Sequence, residues 1–245
     1  GAVLLGFLLL AALLGCKRTS TPGPRPTPTG PATAAATPGT PRPLPTADPA
    51  GRLPHILAEI SLELPGGQVY LPLGLACTEA GQSVVVGIGR PELGVEVPRL
   101  IVLDPVSGAR GPTYDLPGRS ARAVATSGGR AFVAYEDDGY RPRLLAIDLE
   151  TGRVLADVPT DRLASDASLA AGPQGPLYCQ TGDRIEARDP ATLQVVRSVS
   201  YVGGPGIRSL ALDSAHGRLI AATGDHLLAF RAEDLSPLWE LRLPT

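Results

Sequence analysis

Residues 143–161 read "RLLAIDLETGRVLADVPTD", and the chain repeats this pattern four times. Residues 99–118 read "RLIVLDPVSGARGPTYDLPG", 184–203 read "RIEARDPATLQVVRSVSYVG" and 226–244 read "HLLAFRAEDLSPLWELRLP". Aligned on Asp104, Asp148, Asp189 and Arg231, the copies follow one another at steps of 44, 41 and 42 residues. Each copy is a short apolar strand, a turn and a second strand. The turn declares its own chemistry: an Asp at the strand end accepts a backbone N–H, and Gly108 or Gly152 supplies the positive φ of a tight hairpin.

Between these copies lies a second recurring element: "LGLACTEAGQSVVVG" (73–87), "RAVATSGGRAFVAY" (122–135), "ASLAAGPQGPLYCQ" (167–180) and "RSLALDSAHGRLIAAT" (208–223). It reads as a small-residue strand, a turn and an apolar strand. Together the two elements make four short strands in each 40–45 residues, the spacing of a β-propeller blade in an all-β fold. The Asp-x-x-[Ser/Thr]-Gly turns at Asp104 and Asp148 resemble those of the YVTN and quinoprotein-like (WD40-like) propeller repeats. The resemblance covers 54–245 and implies about four blades of four antiparallel strands. A leading strand, "HILAEISLELP" (55–65), is left over, and implies a fragment of a larger ring of six to eight blades. Such a resemblance implies a fold and no particular activity, because these repeats serve unrelated roles.

The N-terminal residues bear on location. Residues 1–15 are apolar but too short to span a bilayer. They end in Leu13-Leu14-Gly15-Cys16, which resembles the lipobox of bacterial lipoproteins. That resemblance implies a signal peptide over 1–16, a diacylglycerol on Cys16, and a protein held by lipid at the extracytoplasmic side of a bacterial envelope membrane. Residues 17–53 are dominated by Thr, Pro, Gly and Ala. They bury too little surface to offset ordering entropy, so they read as a disordered spacer with an extended polyproline bias.

Charge excludes one class of partner. With a net charge of −2, the chain has no dense basic face with which to neutralise nucleic-acid phosphates. No catalytic or metal-ligand spacing emerges, and no cofactor is expected. His55, His216 and His226 share no ligand spacing, and His216 falls in a solvated turn, "DSAHGR". Cys77 and Cys179 fall on inner strands of the first and third repeats. At that separation they cannot pair with each other and read as two buried free thiols. Quinoprotein repeats follow the Asp turn with a docking tryptophan, whereas here only Trp239 lies near such a position.

Blade topology still singles out one rim. The loops joining second to third strands share a face with those joining successive blades. Two of them look long, "GRPELGVEVPR" and "YEDDGYRPR". They would cluster Arg90, Glu92, Glu96, Arg99, Glu136, Asp137, Asp138, Tyr140, Arg141 and Arg143, with Arg119, Arg122, Asp161, Arg162, Asp166 and Arg208 on neighbouring connections. Mixed charge around a tyrosine suits a protein partner. The expectation is a lipid-anchored, non-enzymatic binding or assembly scaffold. The alternatives are a quinoprotein-like or lactonase-like enzyme with its site at the ring centre, or a ligand-binding lipoprotein.

Overall fold

The computed structural model describes residues 69–90, 97–105, 107–161, 168–173, 175–201 and 206–243. The expected leader, spacer and leading strand lie outside these residues. The described residues form sixteen strands and no helix. In chain order they make four four-stranded antiparallel sheets. The first comprises β1 (Val69–Cys77), β2 (Ser83–Arg90), β3 (Val97–Leu103) and β4 (Arg110–Asp115). The second comprises β5 (Ser120–Ser127), β6 (Arg130–Glu136), β7 (Pro142–Asp148) and β8 (Val154–Pro159). The third comprises β9 (Leu169–Ala171), β10 (Leu177–Thr181), β11 (Arg184–Arg188) and β12 (Val195–Ser200). The fourth comprises β13 (Ser209–Asp213), β14 (Arg218–Ala222), β15 (His226–Arg231) and β16 (Pro237–Arg242).

Successive side chains of a strand point to opposite faces, so the third strand of each sheet divides its residues between two neighbours. Leu100 and Val102 of β3 share a buried cluster with Leu145 and Ile147 of β7. On the other face of β7, Leu144 and Ala146 pack with Leu169, Leu177 and Leu193 of the third sheet. Ile185 and Ala187 of β11 in turn meet Leu228 and Phe230 of β15. A sheet covered on both faces requires apolar residues at consecutive positions, which is why these strands read as runs instead of alternations. Each fully buried aliphatic side chain contributes about 1.5–3 kcal/mol.

The first strands stand side by side: β5 contacts β1, and β9 lies between β5 and β13. Side chains bridge them. Thr126 Oγ1 donates to the Cys77 carbonyl at 2.5 Å, Ser127 Oγ to that of Gly172 at 2.6 Å, and Ser168 Oγ accepts from the Leu210 amide at 2.7 Å. The fourth strands are largely exposed. A further tie recurs at the three junctions between the described sheets: the carbonyl of the residue after Asp148, Asp189 or Arg231 accepts from the preceding sheet. Tyr114 OH donates to Leu149 O at 2.8 Å, Arg130 Nη1 to Pro190 O at 3.3 Å, and Tyr178 OH to Ala232 O at 2.7 Å. These junctions use hydrogen bonds of mixed origin.

The Asp turns form as expected. Asp104 Oδ1 accepts from the Ser107 amide, and Asp148 Oδ1 from the Thr151 amide and hydroxyl, with Gly108 and Gly152 both at φ 71. The third and fourth copies lack the glycine, and Leu193 (φ 59) and Leu235 (φ 60) take its left-handed conformation instead. Both leucines are buried, at 0% and 2% exposure. A left-handed residue costs about 1–2 kcal/mol, and burying a leucine returns about 1.5–3 kcal/mol. Packing therefore outweighs the strain.

Two sequence expectations need correction. Cys179 is free and buried, but it lies on β10, the second strand of its sheet. Cys77, at the part-buried end of β1, is disulfide-bonded, so it is not a free thiol. The "YEDDGYRPR" stretch is also not a long loop. β6 and β7, seven residues each, take four of its nine residues and leave five at the tip. The extra sequence lengthens the hairpin because Tyr135 pairs with Arg143 and Glu136 with Pro142 in the ladder.

Candidate functional site

The predicted rim residues separate into three groups. Glu92 and Glu96 lie outside the described residues, and Arg90 closes β2. A second group is tied up within the protein. Arg99 Nε meets Asp115 Oδ1 at 2.7 Å. Arg143 Nε meets Asp157 Oδ1 at 2.9 Å and donates to the Tyr135 hydroxyl, which itself donates to Asp157 Oδ2 at 2.9 Å. Burial, followed by the bond to Asp157, pushes the Tyr135 phenol up to about 12. Glu136 accepts from Ser120 Oγ at 3.0 Å and from Arg122 Nη2 at 3.1 Å. These charges fix the hairpin and are not on offer to a ligand.

The third group is displayed. Asp137 Oδ1 accepts from the amides of Gly139 and Arg141, both at 2.9 Å, and the Tyr140 amide closes on the Asp137 carbonyl. This cap holds Tyr140 at φ 60, a conformation that a bulky residue rarely adopts. Tyr140 is 65% exposed. The Arg119 guanidinium carbon stands 4.3 Å from its centroid, within the range of a cation–π contact. Arg119 reaches this place because Gly118 lets two backbones meet: a Cβ there would fall 2.2 Å from the Glu136 carbonyl oxygen. Asp138 and Arg141, in the same turn, are exposed. Thus the structure brings Tyr140, Asp137, Asp138 and Arg141 together with Arg119.

Sequence reasoning missed a second feature on this face. A cleft of about 530 Å³ opens beside the β10–β11 hairpin, lined by Thr181, Gly182, Asp183, Arg184, Glu186 and Tyr201 among others. Of the earlier candidates among the described residues, only Asp161 lines it. Glu186 and Arg188 are buried together, with Arg188 Nη2 2.6 Å and Nε 2.9 Å from Glu186 Oε2. Arg188 Nη1 also donates to the Leu193 carbonyl at 2.8 Å. Cys179 Sγ lies 3.8 Å from the same carboxylate oxygen, and burial pushes its thiol up to about 12, so it stays protonated.

A signal for this cleft was available in the repeat alignment. The third strand carries a base five residues before the aligned Asp or Arg in every copy: Arg99, Arg143, Arg184 and His226. In three sheets the fourth strand answers with an acid, through Arg99–Asp115, Arg143–Asp157 and His226–Glu240 (3.4 Å). In the third sheet Ser198 occupies that place, opposite Glu186 as Asp157 is opposite Leu145 and Glu240 opposite Leu228.

The two described histidines, His216 and His226, gather no further ligands among the described residues, and His55 lies outside them. His216 is exposed at its turn against Asp213 at 2.8 Å, and His226 lies between Asp225 and Glu240. Among the described residues, no group of three His, Cys, Asp or Glu side chains is arranged to hold a metal ion. Searches against protein-family models and against curated proteins gave no match to this chain.

Proposed function

We propose that the four sheets are consecutive blades of a β-propeller, tethered by lipid on Cys16 outside the cytoplasm of a bacterium, and that the protein binds another polypeptide at the rim carrying Tyr140. Support for the propeller comes from four sheets of identical order, each stacked on the next with their first strands side by side. Support for lipidation remains the Leu-Leu-Gly-Cys ending of the apolar leader.

The observation that carries the binding reading is the Tyr140–Arg119 pair. Tyrosine and arginine are the side chains most often found at the energetic centres of interfaces. Here a capped hairpin spends backbone strain to keep the tyrosine exposed instead of burying it. Strain held at an exposed side chain is characteristic of functional positions.

The test is capture from envelope extracts with the full chain as bait. Tyr140→Ala and Arg119→Ala should each lose the same co-purifying polypeptide, while Arg153→Ala on the opposite turns should retain it. Retention of that polypeptide by both rim variants would overturn the reading. Lipidation is read separately. Mass spectrometry of the Cys16 peptide should find the diacylglycerol adduct, and Cys16→Ser should release the protein from membranes. The Cys16 sulfur can form a thioether or a disulfide but never both, so a disulfide on that peptide would defeat the anchor.

A further inference from the structure

We infer that the cleft beside the β10–β11 hairpin receives a basic side chain, the ammonium of a lysine or the guanidinium of an arginine, from the polypeptide partner. This inference rests on the rim being the partner-binding face, since the cleft opens where the β10–β11 turn and the connections at Asp161 and Tyr201 meet.

The third sheet departs from its siblings on a single face. Positions filled by Leu145 and Ile147 in the second sheet, and by Leu228 and Phe230 in the fourth, hold Glu186 and Arg188. These charged residues are 7% and 6% exposed. Replacing two apolar side chains with a buried ion pair is a poor way to stabilise a sheet junction, because desolvation consumes most of the attraction. The pair also leaves capacity unused. Every hydrogen bond to Glu186 falls on Oε2, from Arg188 and Cys179. Oε1 takes none, in a residue that lines the cleft.

Thr181 is a second, independent sign. It is 5% exposed, lines the same cleft, and its hydroxyl is buried without a hydrogen-bond partner. An orphaned buried hydroxyl costs about 1–3 kcal/mol. By ladder register Thr181 pairs with Arg184 and Cys179 with Glu186, so Thr181 and Glu186 share one face. A lysine ammonium carries three donors, suited to Glu186 Oε1, Thr181 Oγ1 and a carboxylate at the mouth. With Arg188 neutralising Glu186, the charged residues left among the described lining are Asp161, Asp183 and Arg184, an excess of one negative charge.

N-acetyl-lysine methylamide is the probe, titrated into the full chain while amide resonances of Thr181, Asp183 and Arg184 are followed. Saturable shifts are expected with a Kd on the order of millimolar, with none from the isosteric neutral norleucine derivative. Glu186→Leu/Arg188→Ile restores the apolar pattern of the neighbouring sheets, so it keeps the fold and should weaken the probe at least about tenfold. Asp183→Asn should weaken it by about twofold to fivefold. Absence of a saturable shift, equal binding of norleucine, or unchanged affinity in the double variant would each overturn the inference. The two readings fail separately. Loss of partner capture in Tyr140→Ala with no lysine binding leaves the rim standing and removes the cleft. Lysine binding with unaltered capture removes the assignment of that cation to the partner.

Discussion

The Tyr178 hydroxyl of the third sheet donates to the Ala232 carbonyl of the fourth at 2.7 Å, and Tyr114 does the same for Leu149 two junctions earlier. The two tyrosines come from different strands, β10 and β4, yet they satisfy the same carbonyl of the repeat. Each bond closes a backbone acceptor that would otherwise be left unpaired at a sheet edge. Tyr178→Phe and Tyr114→Phe should therefore each lower stability by about 1–2 kcal/mol in urea unfolding. The junctions share no side chains, so the double variant should lose close to the sum.

Gly152 and Leu193 hold equivalent positions with opposite requirements. A Cβ on Gly152 would lie 2.4 Å from the Tyr114 ring, at a φ that already disfavours side chains. Gly152→Ala should cost about 2 kcal/mol or more and break the Tyr114–Leu149 bond. Leu193→Gly relieves the left-handed strain but empties a fully buried site. A net loss of about 1–3 kcal/mol is expected, measured by the midpoint of denaturant unfolding.

The pair Glu186–Arg188 should behave asymmetrically. Glu186→Ala leaves a buried guanidinium unpaired and should destabilise by about 3–5 kcal/mol. Glu186→Leu/Arg188→Ile should equal or exceed the wild type in thermal unfolding. Lower stability of the double variant would show that the ion pair holds the junction together.

Acid should act through the Asp turns. Hydrogen bonds from the Thr151 side chain and amide hold Asp148 below its ordinary value of 3.8. The Thr192 amide and hydroxyl do the same for Asp189, and the Ser236 hydroxyl and amide for Asp234. A depressed carboxylate adds stability above its unfolded value, and that stability fades as pH falls through the folded value. The three turns should therefore give their full contribution above about pH 5 and lose it progressively below the ordinary 3.8. Asp148→Asn should flatten that acid limb of a stability–pH curve.

Cys179 should resist alkylation in the folded protein. Its thiol is buried and held protonated, so iodoacetamide labelling near pH 8 should wait on unfolding. Rapid native-state labelling of Cys179 would contradict the packing of the second and third sheets.

How much of this was legible follows residue by residue. Asp104 and Asp148 with Gly108 and Gly152 announced their turns, because a tight hairpin needs a side-chain acceptor and a residue tolerant of positive φ within four positions. The 41–44-residue period announced four equivalent sheets. Leu193 and Leu235 hid the same turn, since the burial that offsets their strain comes from another sheet. Tyr140 was legible as a rim residue, but Arg99 and Arg143 looked equally available. Only the ladder register set them against Asp115 and Asp157. Local order, then, was fixed by contacts a few residues apart, which a linear sequence states directly. The cleft, the orphaned Thr181 hydroxyl and the Tyr140–Arg119 contact were decided by the tertiary structure. Each depends on which faces of two distant strands meet, and burial is a property of both.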